Sequence, residues 1–281
     1  METCLNSYFI IDQQLSSCCD FNPFKFANGK PVYEVIRVIG GRPLFLREHL
    51  GRFFESLGQT ESRVRESEGQ IKQIIRLLIE ANRADMGNIK LIAFIEDSGS
   101  DRRTAAWFTP AYYPTDEQYA AGVLMTSLSL RRKHPTRKVQ DDEYKKAVAQ
   151  QLHETKAFEV LLTHNDIVTE GSKSNIFFIR NNCLFTAADE QVLGGITRNK
   201  VIEICYKSKI ELFKNEIRTG HLSGFEACFL TGTSPKILPI SKIDHTGYKV
   251  PHQLITFLMS ELDKMIVENI EQFSWNTQLQ T

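Results

Sequence analysis

Apolar positions along this chain switch repeatedly between two periods, which predicts strands alternating with helices. Residues 8–11 and Val32–Ile39 read as strands, the second ending at Gly40-Gly41, a hairpin signal before a short strand at 43–46. From 47 to 57 the period becomes helical, with Leu50, Phe53, Phe54 and Leu57 at i, i+3, i+4 and i+7. Ile71, Ile74, Ile75, Leu78 and Ile79 repeat that spacing within Glu68–Asn82, and Gly87 precedes a strand at 89–95. Residues 97–103 are polar and read as a hairpin loop, after which Trp107-Phe108 resumes extended structure.

A second run of alternation follows. Residues 122–126 and 159–163 read as strands, with a helix at 143–155 between them. Asn165-Asp166 reads as a turn followed by a strand through 168–170 and the strand Asn175–Arg180, and Asn181-Asn182 as a hairpin turn leading into the strand Cys183–Thr186. A helix at 197–206, a strand at 228–231 and a helix at 251–267 complete the chain, and the polar tail from Ser274 reads as frayed. Pro110, Pro114 and the polar stretch through Gln118 mark the best linker. The expected organisation is therefore α/β (α+β) with two domains, 1–114 and 122–281, joined by 115–121.

Composition narrows the function classes. With 281 residues, 42% of them hydrophobic, the chain can bury one large core or two moderate ones. Thirty-four basic and 34 acidic residues give a formal net charge of zero, which argues against nucleic-acid and membrane-surface partners. The six cysteines show no metal-ligand spacing, so reduced structural thiols and no metal site are expected. Met1-Glu-Thr-Cys-Leu5 lacks a basic region followed by an apolar run, and no 18-residue apolar segment occurs, so the chain reads as soluble and cytoplasmic.

Candidate chemistry concentrates in three stretches. Arg137-Lys138 lies just before a predicted helix, and Lys138 precedes Glu170 by 32 positions. Glu170 opens Glu-Gly-Ser-Lys-Ser-Asn175, where Gly171 and the small hydroxyl residues permit close backbone approach. Gly195-Ile-Thr-Arg198 opens a helix, so the amides of Ile196 and Thr197 can face an anion at the positive end of the dipole. Thr231-Gly-Thr-Ser-Pro235 adds hydroxyl and amide donors at Thr233 and Ser234. Lys145 and Lys146 compete with Lys138 but fall inside the predicted helix, on its solvated face.

Taken in order and spacing, these stretches resemble the signature of the class IV (fold-type IV) pyridoxal-phosphate (PLP) aminotransferases. That family includes branched-chain aminotransferases, D-amino-acid transaminases and aminodeoxychorismate lyase. The resemblance runs from Tyr33 to Ile240 and is densest in the second half. It implies a two-domain fold-type IV enzyme and a homodimer with active sites between the domains, near the subunit interface. Lys138 then matches the lysine that holds PLP as a Schiff base and shuttles the substrate proton, and Glu170 the carboxylate on the pyridine nitrogen. Ile196, Thr197, Thr233 and Ser234 match the phosphate and carboxylate cradle, Arg52 the phosphate arginine, and Asn175 and Leu193 further cofactor contacts. Tyr33 and Arg37, which alternation puts on one strand face, match positions at the substrate entrance. His49 reads as structural.

Two departures bear on substrate. Asn28-Gly-Lys-Pro-Val32 differs from the usual approach to the entrance strand, and the strand ending at Ile95-Glu96 lacks the Arg-Gly that D-amino-acid transaminases carry there. The resemblance thus implies transamination between an amino acid, L-configured and branched-chain-like or glutamate, and a 2-oxo acid. Two alternatives stand beside it: 4-amino-4-deoxychorismate lyase, which makes 4-aminobenzoate on the same cofactor, and a PLP-fold binding protein without catalysis. The last would have lost Lys138, Glu170 or Arg52, and all three are present.

Overall fold

The computed structural model describes residues 2–26, 30–60, 64–95 and 102–275. The chain divides into two compact units, Met1–Ala111 with Arg137–Gln140 and Met265–Thr281, and Tyr112–Thr136 with Asp141–Lys264. This division differs from a cut at 115–121. Thr115 caps a helix there through a capping box with Gln118, so the polar run that reads as a linker is the start of an ordered element of the second unit. The four residues around Lys138 are joined to the first unit by backbone hydrogen bonds to Pro31 and Tyr33.

The first unit is a six-stranded antiparallel sheet with two helices on one face. Its strands are β1 (Leu5–Ile11), β2 (Gln14–Ser17), β3 (Val32–Ile39), β4 (Arg42–Pro43), β5 (Met86–Ile95) and β6 (Arg102–Thr109), in the order β2-β1-β6-β5-β3-β4. Helices α1 (Leu46–Gly58) and α2 (Glu68–Asn82) bury the apolar stripes that their spacing predicts. Leu50 and Phe53 of α1 and Ile74, Ile75 and Leu78 of α2 pack on Val32, Ile36 and Val38 of β3 and Ile89 and Leu91 of β5. Phe9, Phe26, Ile92, Phe94 and Trp107 fill the other face, against which Tyr33 packs. Gly40 and Gly41 both have positive φ, as the two-residue turn between β3 and β4 requires.

Of the short strand expected at 43–46, only Pro43 is extended, in β4, where it pairs with Val38. Phe45 takes a left-handed backbone conformation and its N–H donates to Asn269 Oδ1, so Leu44, Phe45 and Leu46 become the buried entry to α1. The loop reading for 97–103 falls outside the described residues up to 101, while Arg102 and Arg103 already belong to β6. Residues 28 and 29 of the entrance segment and the tail beyond 275 are also outside them. Cys4 and Cys18 form a disulfide, contrary to the expectation of six reduced thiols: the β1–β2 hairpin brings their Cα atoms to 5.8 Å, which linear spacing does not reveal. Cys205 and Cys228 are buried, and burial pushes the Cys205 thiol up to about 11, so both remain protonated packing groups.

The second unit carries α3 (Asp116–Ala121), β7 (Val123–Ser129), α4 (Asp142–Thr155), β8 (Glu159–His164), β9 (Ile167–Gly171), β10 (Asn175–Arg180) and β11 (Cys183–Thr186). It continues through α5 (Ile196–Lys207), β12 (Leu212–Lys214), β13 (Ile217–Arg218), β14 (Ala227–Gly232), β15 (Lys236–Ile243), β16 (Thr246–Gly247) and the start of α6 (Gln253–Glu271). Ten strands form one mixed sheet in the order β12-β11-β10-β14-β15-β7-β8-β9-β13, with β16 on β15. Helix α4 is the crossover between the parallel strands β7 and β8, onto which it packs Val148. Strand β15 escapes the sequence reading because Pro239 argues against a central strand. The pairing of β15 with β7 begins at Ile240, so the missing N–H of Pro239 lies just outside that ladder. Among the described residues, no helix is long and apolar enough to cross a membrane.

Candidate active site

In the second unit the residues expected from sequence converge on Asn175. Glu170, near the end of β9, has its carboxylate buried, with Oε2 accepting from the Leu193 N–H at 3.1 Å and from Asn175 Nδ2 at 3.3 Å. Asn175 Nδ2 also donates to the Leu193 carbonyl at 2.9 Å, so one amide clasps both the carboxylate and the loop that leads into α5. Leu193 serves here through its backbone. Antiparallel pairing sets Asn175 opposite Thr231 at the end of β14, beside the hairpin turn of Thr233 and Ser234. A Cβ on Gly195 would collide with Asn175 Oδ1, which brings the N-terminus of α5 against the same amide. A Cβ on Gly171 would likewise meet Ser174 Oγ, so that hydroxyl would have to shift. The glycine thus makes room for the turn itself.

The other oxygen of Glu170, Oε1, accepts from Arg132 Nη1 at 3.0 Å, an ion pair that sequence reading missed. Helix α5 starts at Gly195 without a side-chain cap, so the first-turn N–H groups of Ile196 and Thr197 have no partner within the helix. Thr231 Oγ1 is buried and makes no hydrogen bond. Arg198 turns away from this end, pairing with Asp189 and the Ala187 carbonyl.

The remaining expected residues lie in the first unit. Lys138 is stitched to β3, where the Tyr33 N–H donates to its carbonyl at 3.0 Å and Val139 bridges Val32. Its Nζ stands 5.3 Å from the centroid of the Tyr33 ring. Lys145 and Lys146 are exposed on α4, as their helical position predicts. Tyr33 and Arg37 share the half-buried face of β3, as alternation requires. Lys90, on neighbouring β5, is 5% exposed and was not anticipated; it meets Glu2 Oε1 at 2.5 Å and lies 4.8 Å from the Tyr33 ring centroid.

Arg52 has a further partner that sequence did not reveal. Its Nε and Nη2 donate to the two oxygens of Glu34, each at 2.7 Å, in a bidentate fork. Glu34 is fully buried on the face of β3 that carries Val32, Ile36 and Val38, and a charge at a core position of an alternating strand is the signal that could have disclosed it. His49 Nδ1 lies 2.8 Å from Glu34 Oε2, so the ionised carboxylate fixes Nδ1–H as donor. Burial opposes ionisation of Glu34, yet the Arg52 guanidinium and the two side-chain hydrogen bonds outweigh it and hold the carboxyl far below the usual range. Burial lowers His49 despite Glu34, which keeps the imidazole neutral and structural.

Both groups therefore bind protons less readily folded than unfolded, so stability falls as pH falls. His49 acts first, below its ordinary value of 6.5, and Glu34 only below 4.5. Between pH 7 and 5, thermal unfolding should show a stability slope steeper than that of His49→Gln by up to about 1.4 kcal/mol per pH unit. Equal slopes would remove His49 from the account.

Comparison with known proteins identifies the family. The amino-transferase class IV family model matches residues 31–243. The chain belongs to that family. Among its relatives, D-alanine aminotransferase of Bacillus licheniformis is 26% identical over 230 residues, covering 79% of this chain and 81% of the relative. Branched-chain aminotransferase from Thermoproteus uzoniensis, solved with norvaline, superposes with a TM-score of 0.84 at 21% identity, over 95% of this chain and 97% of that one. A T.th. branched-chain amino acid aminotransferase solved with pyridoxamine 5'-phosphate gives 0.84 at 20% identity, over 97% and 98%. The fold is that of the fold-type IV aminotransferases, and this class IV aminotransferase is a PLP-dependent enzyme.

The residues present fit the cofactor. The α5 N-terminus, the unsatisfied Thr231 hydroxyl and the Thr233–Ser234 turn suit the phosphate, and Glu170 suits a protonated pyridine nitrogen.

Proposed function

We propose that this enzyme moves an amino group between an L-amino acid, branched-chain or glutamate, and a 2-oxo acid. PLP, when bound, supplies the electron sink for the substrate carbanion. Glu170 would accept the hydrogen bond of the ring N–H and so favour the protonated ring nitrogen. Lys138 would hold the cofactor through its Nζ, and its free amine would move the proton at the substrate α-carbon. Ile196, Thr197, Thr233 and Ser234, together with Arg52, bind the phosphate, while Tyr33 and Arg37 border the substrate. The observation that carries this reading is the Glu170 carboxylate, buried and oriented by two N–H donors at its Oε2.

Substrate class rests on the first unit. The Ile95-Glu96 ending supplies no arginine for a D-amino-acid carboxylate, which supports an L-configured donor. A cytoplasmic homodimer is the corresponding setting. The test is a panel of L- and D-amino donors with 2-oxoglutarate, run beside aminodeoxychorismate. Amino transfer from L-leucine, L-valine or L-glutamate supports the reading. Transfer only from D-alanine, or release of 4-aminobenzoate and pyruvate with no amino transfer, would replace it.

A further inference from the structure

Glu159, the first residue of β8, is a buried carboxylate to which the mechanism above gives no role. Its Oε1 accepts from the Val160 N–H at 2.8 Å and from the Ser172 hydroxyl, and its Oε2 from the Ser174 hydroxyl at 3.2 Å and the Lys173 N–H at 3.3 Å. None of these four donors is charged. Three of them belong to residues 172–174, the turn that separates Glu170 from Asn175. The turn is tied down further by Gly171 N–H to the Ser174 carbonyl, Ser172 N–H to the Val160 carbonyl and the Tyr144 hydroxyl to the Ser172 carbonyl. Burying a carboxylate is costly, and a turn between two strands can be closed by neutral side chains. What four convergent donors add is a fixed relative placement of the turn's two ends.

Those two ends are Glu170 and Asn175, whose side chains must meet at Glu170 Oε2. We propose that Glu159 is a positioning residue for Glu170: by gathering Ser172, Lys173 and Ser174 onto one carboxylate it sets the register in which Asn175 and Leu193 orient the Glu170 carboxylate. The proposal rests on Glu170 serving the ring nitrogen. An amide cannot replace Glu159, because its NH₂ can be met by a serine hydroxyl acting as acceptor but not by a backbone N–H. With the NH₂ at Oε2 it opposes the Lys173 N–H, and with the NH₂ at Oε1 it opposes the Val160 N–H.

The test compares wild type, Glu159→Gln, Ser174→Ala and Glu170→Gln as holoenzymes carrying cofactor labelled with ¹⁵N in the ring. The ring-nitrogen chemical shift is recorded against pH, beside kcat and KM and the melting temperature of the cofactor-free proteins. Positioning by Glu159 predicts a ring nitrogen that loses its proton at lower pH in Glu159→Gln. It also predicts kcat down about ten- to a hundredfold and KM for the donor within twofold of wild type. Ser174→Ala should move both readouts in the same direction by less, and it decides the question if Glu159→Gln does not fold. A wild-type ¹⁵N profile and kcat in Glu159→Gln, or in Ser174→Ala where that variant stands alone, would overturn the proposal even if the melting temperature fell. A wild-type profile in Glu170→Gln would instead overturn the assignment of Glu170 to the ring nitrogen, and the positioning role with it.

Discussion

Glu170→Gln is expected to retain cofactor yet lose about 10²–10³-fold in kcat, the scale of removing one oriented electrostatic partner from a buried site. The local geometry makes the loss specific. Two N–H donors converge on Oε2, so the amide oxygen must turn toward Leu193 and Asn175, and the NH₂ is left facing Arg132 Nη1. The opposite rotamer sets NH₂ against the Leu193 N–H. Either orientation opposes donor to donor, and neither supplies the negative charge that keeps a ring nitrogen protonated. Stopped-flow mixing with an amino donor should show binding at the wild-type rate and then stalled proton removal. A wild-type kcat in this variant would make Glu170 a structural carboxylate.

Arg52→Ala carries the second large effect, and the structure changes what is expected of it. Phosphate contact alone would predict cofactor affinity weakened about ten- to a hundredfold, from a lost charge-assisted hydrogen bond of roughly 1.5–3 kcal/mol. The bidentate fork to Glu34 adds a folding term, because truncation strands a carboxylate that is 0% exposed with His49 as its remaining side-chain partner. Removing one member of such a pair costs about 3 kcal/mol, or roughly 10 °C in melting temperature for a chain of this size. Arg52→Ala/Glu34→Gln should recover part of the stability and none of the affinity. An unchanged melting temperature in Arg52→Ala would show that the fork does not support the fold.

The parts of this molecule legible in its sequence are those in which local pattern and tertiary demand agree. Helix α2 and strands β3 and β11 fall where their periods set them, since each buries a face that its own residues define, and β10 is a short apolar run buried on both faces. Strand β15 and helix α3 were hidden: Pro239 argues against a central strand, although it pairs with Phe229 of β14 and precedes the ladder to β7, and α3 reads as polar linker until its capping box is seen. The site divides the same way. Glu170, Asn175 and the α5 N-terminus stand in contiguous motifs and can be read directly. Arg132, Lys90 and Glu159 gain meaning only from partners distant in sequence, at Glu170, Tyr33 and the Ser172–Ser174 turn. Glu34 is the intermediate case, since strand alternation alone placed a charge on the core side.

On the proposed function Lys138, rather than a lysine of α4, holds the cofactor. Borohydride reduction of the holoenzyme, proteolysis and mass spectrometry of the pyridoxyl-labelled peptide read this directly. A single labelled position is expected at Lys138, lost in Lys138→Ala together with the visible absorption band. Labelling at Lys145 or Lys146, or a holoenzyme that releases all its cofactor unlabelled after reduction, would contradict it.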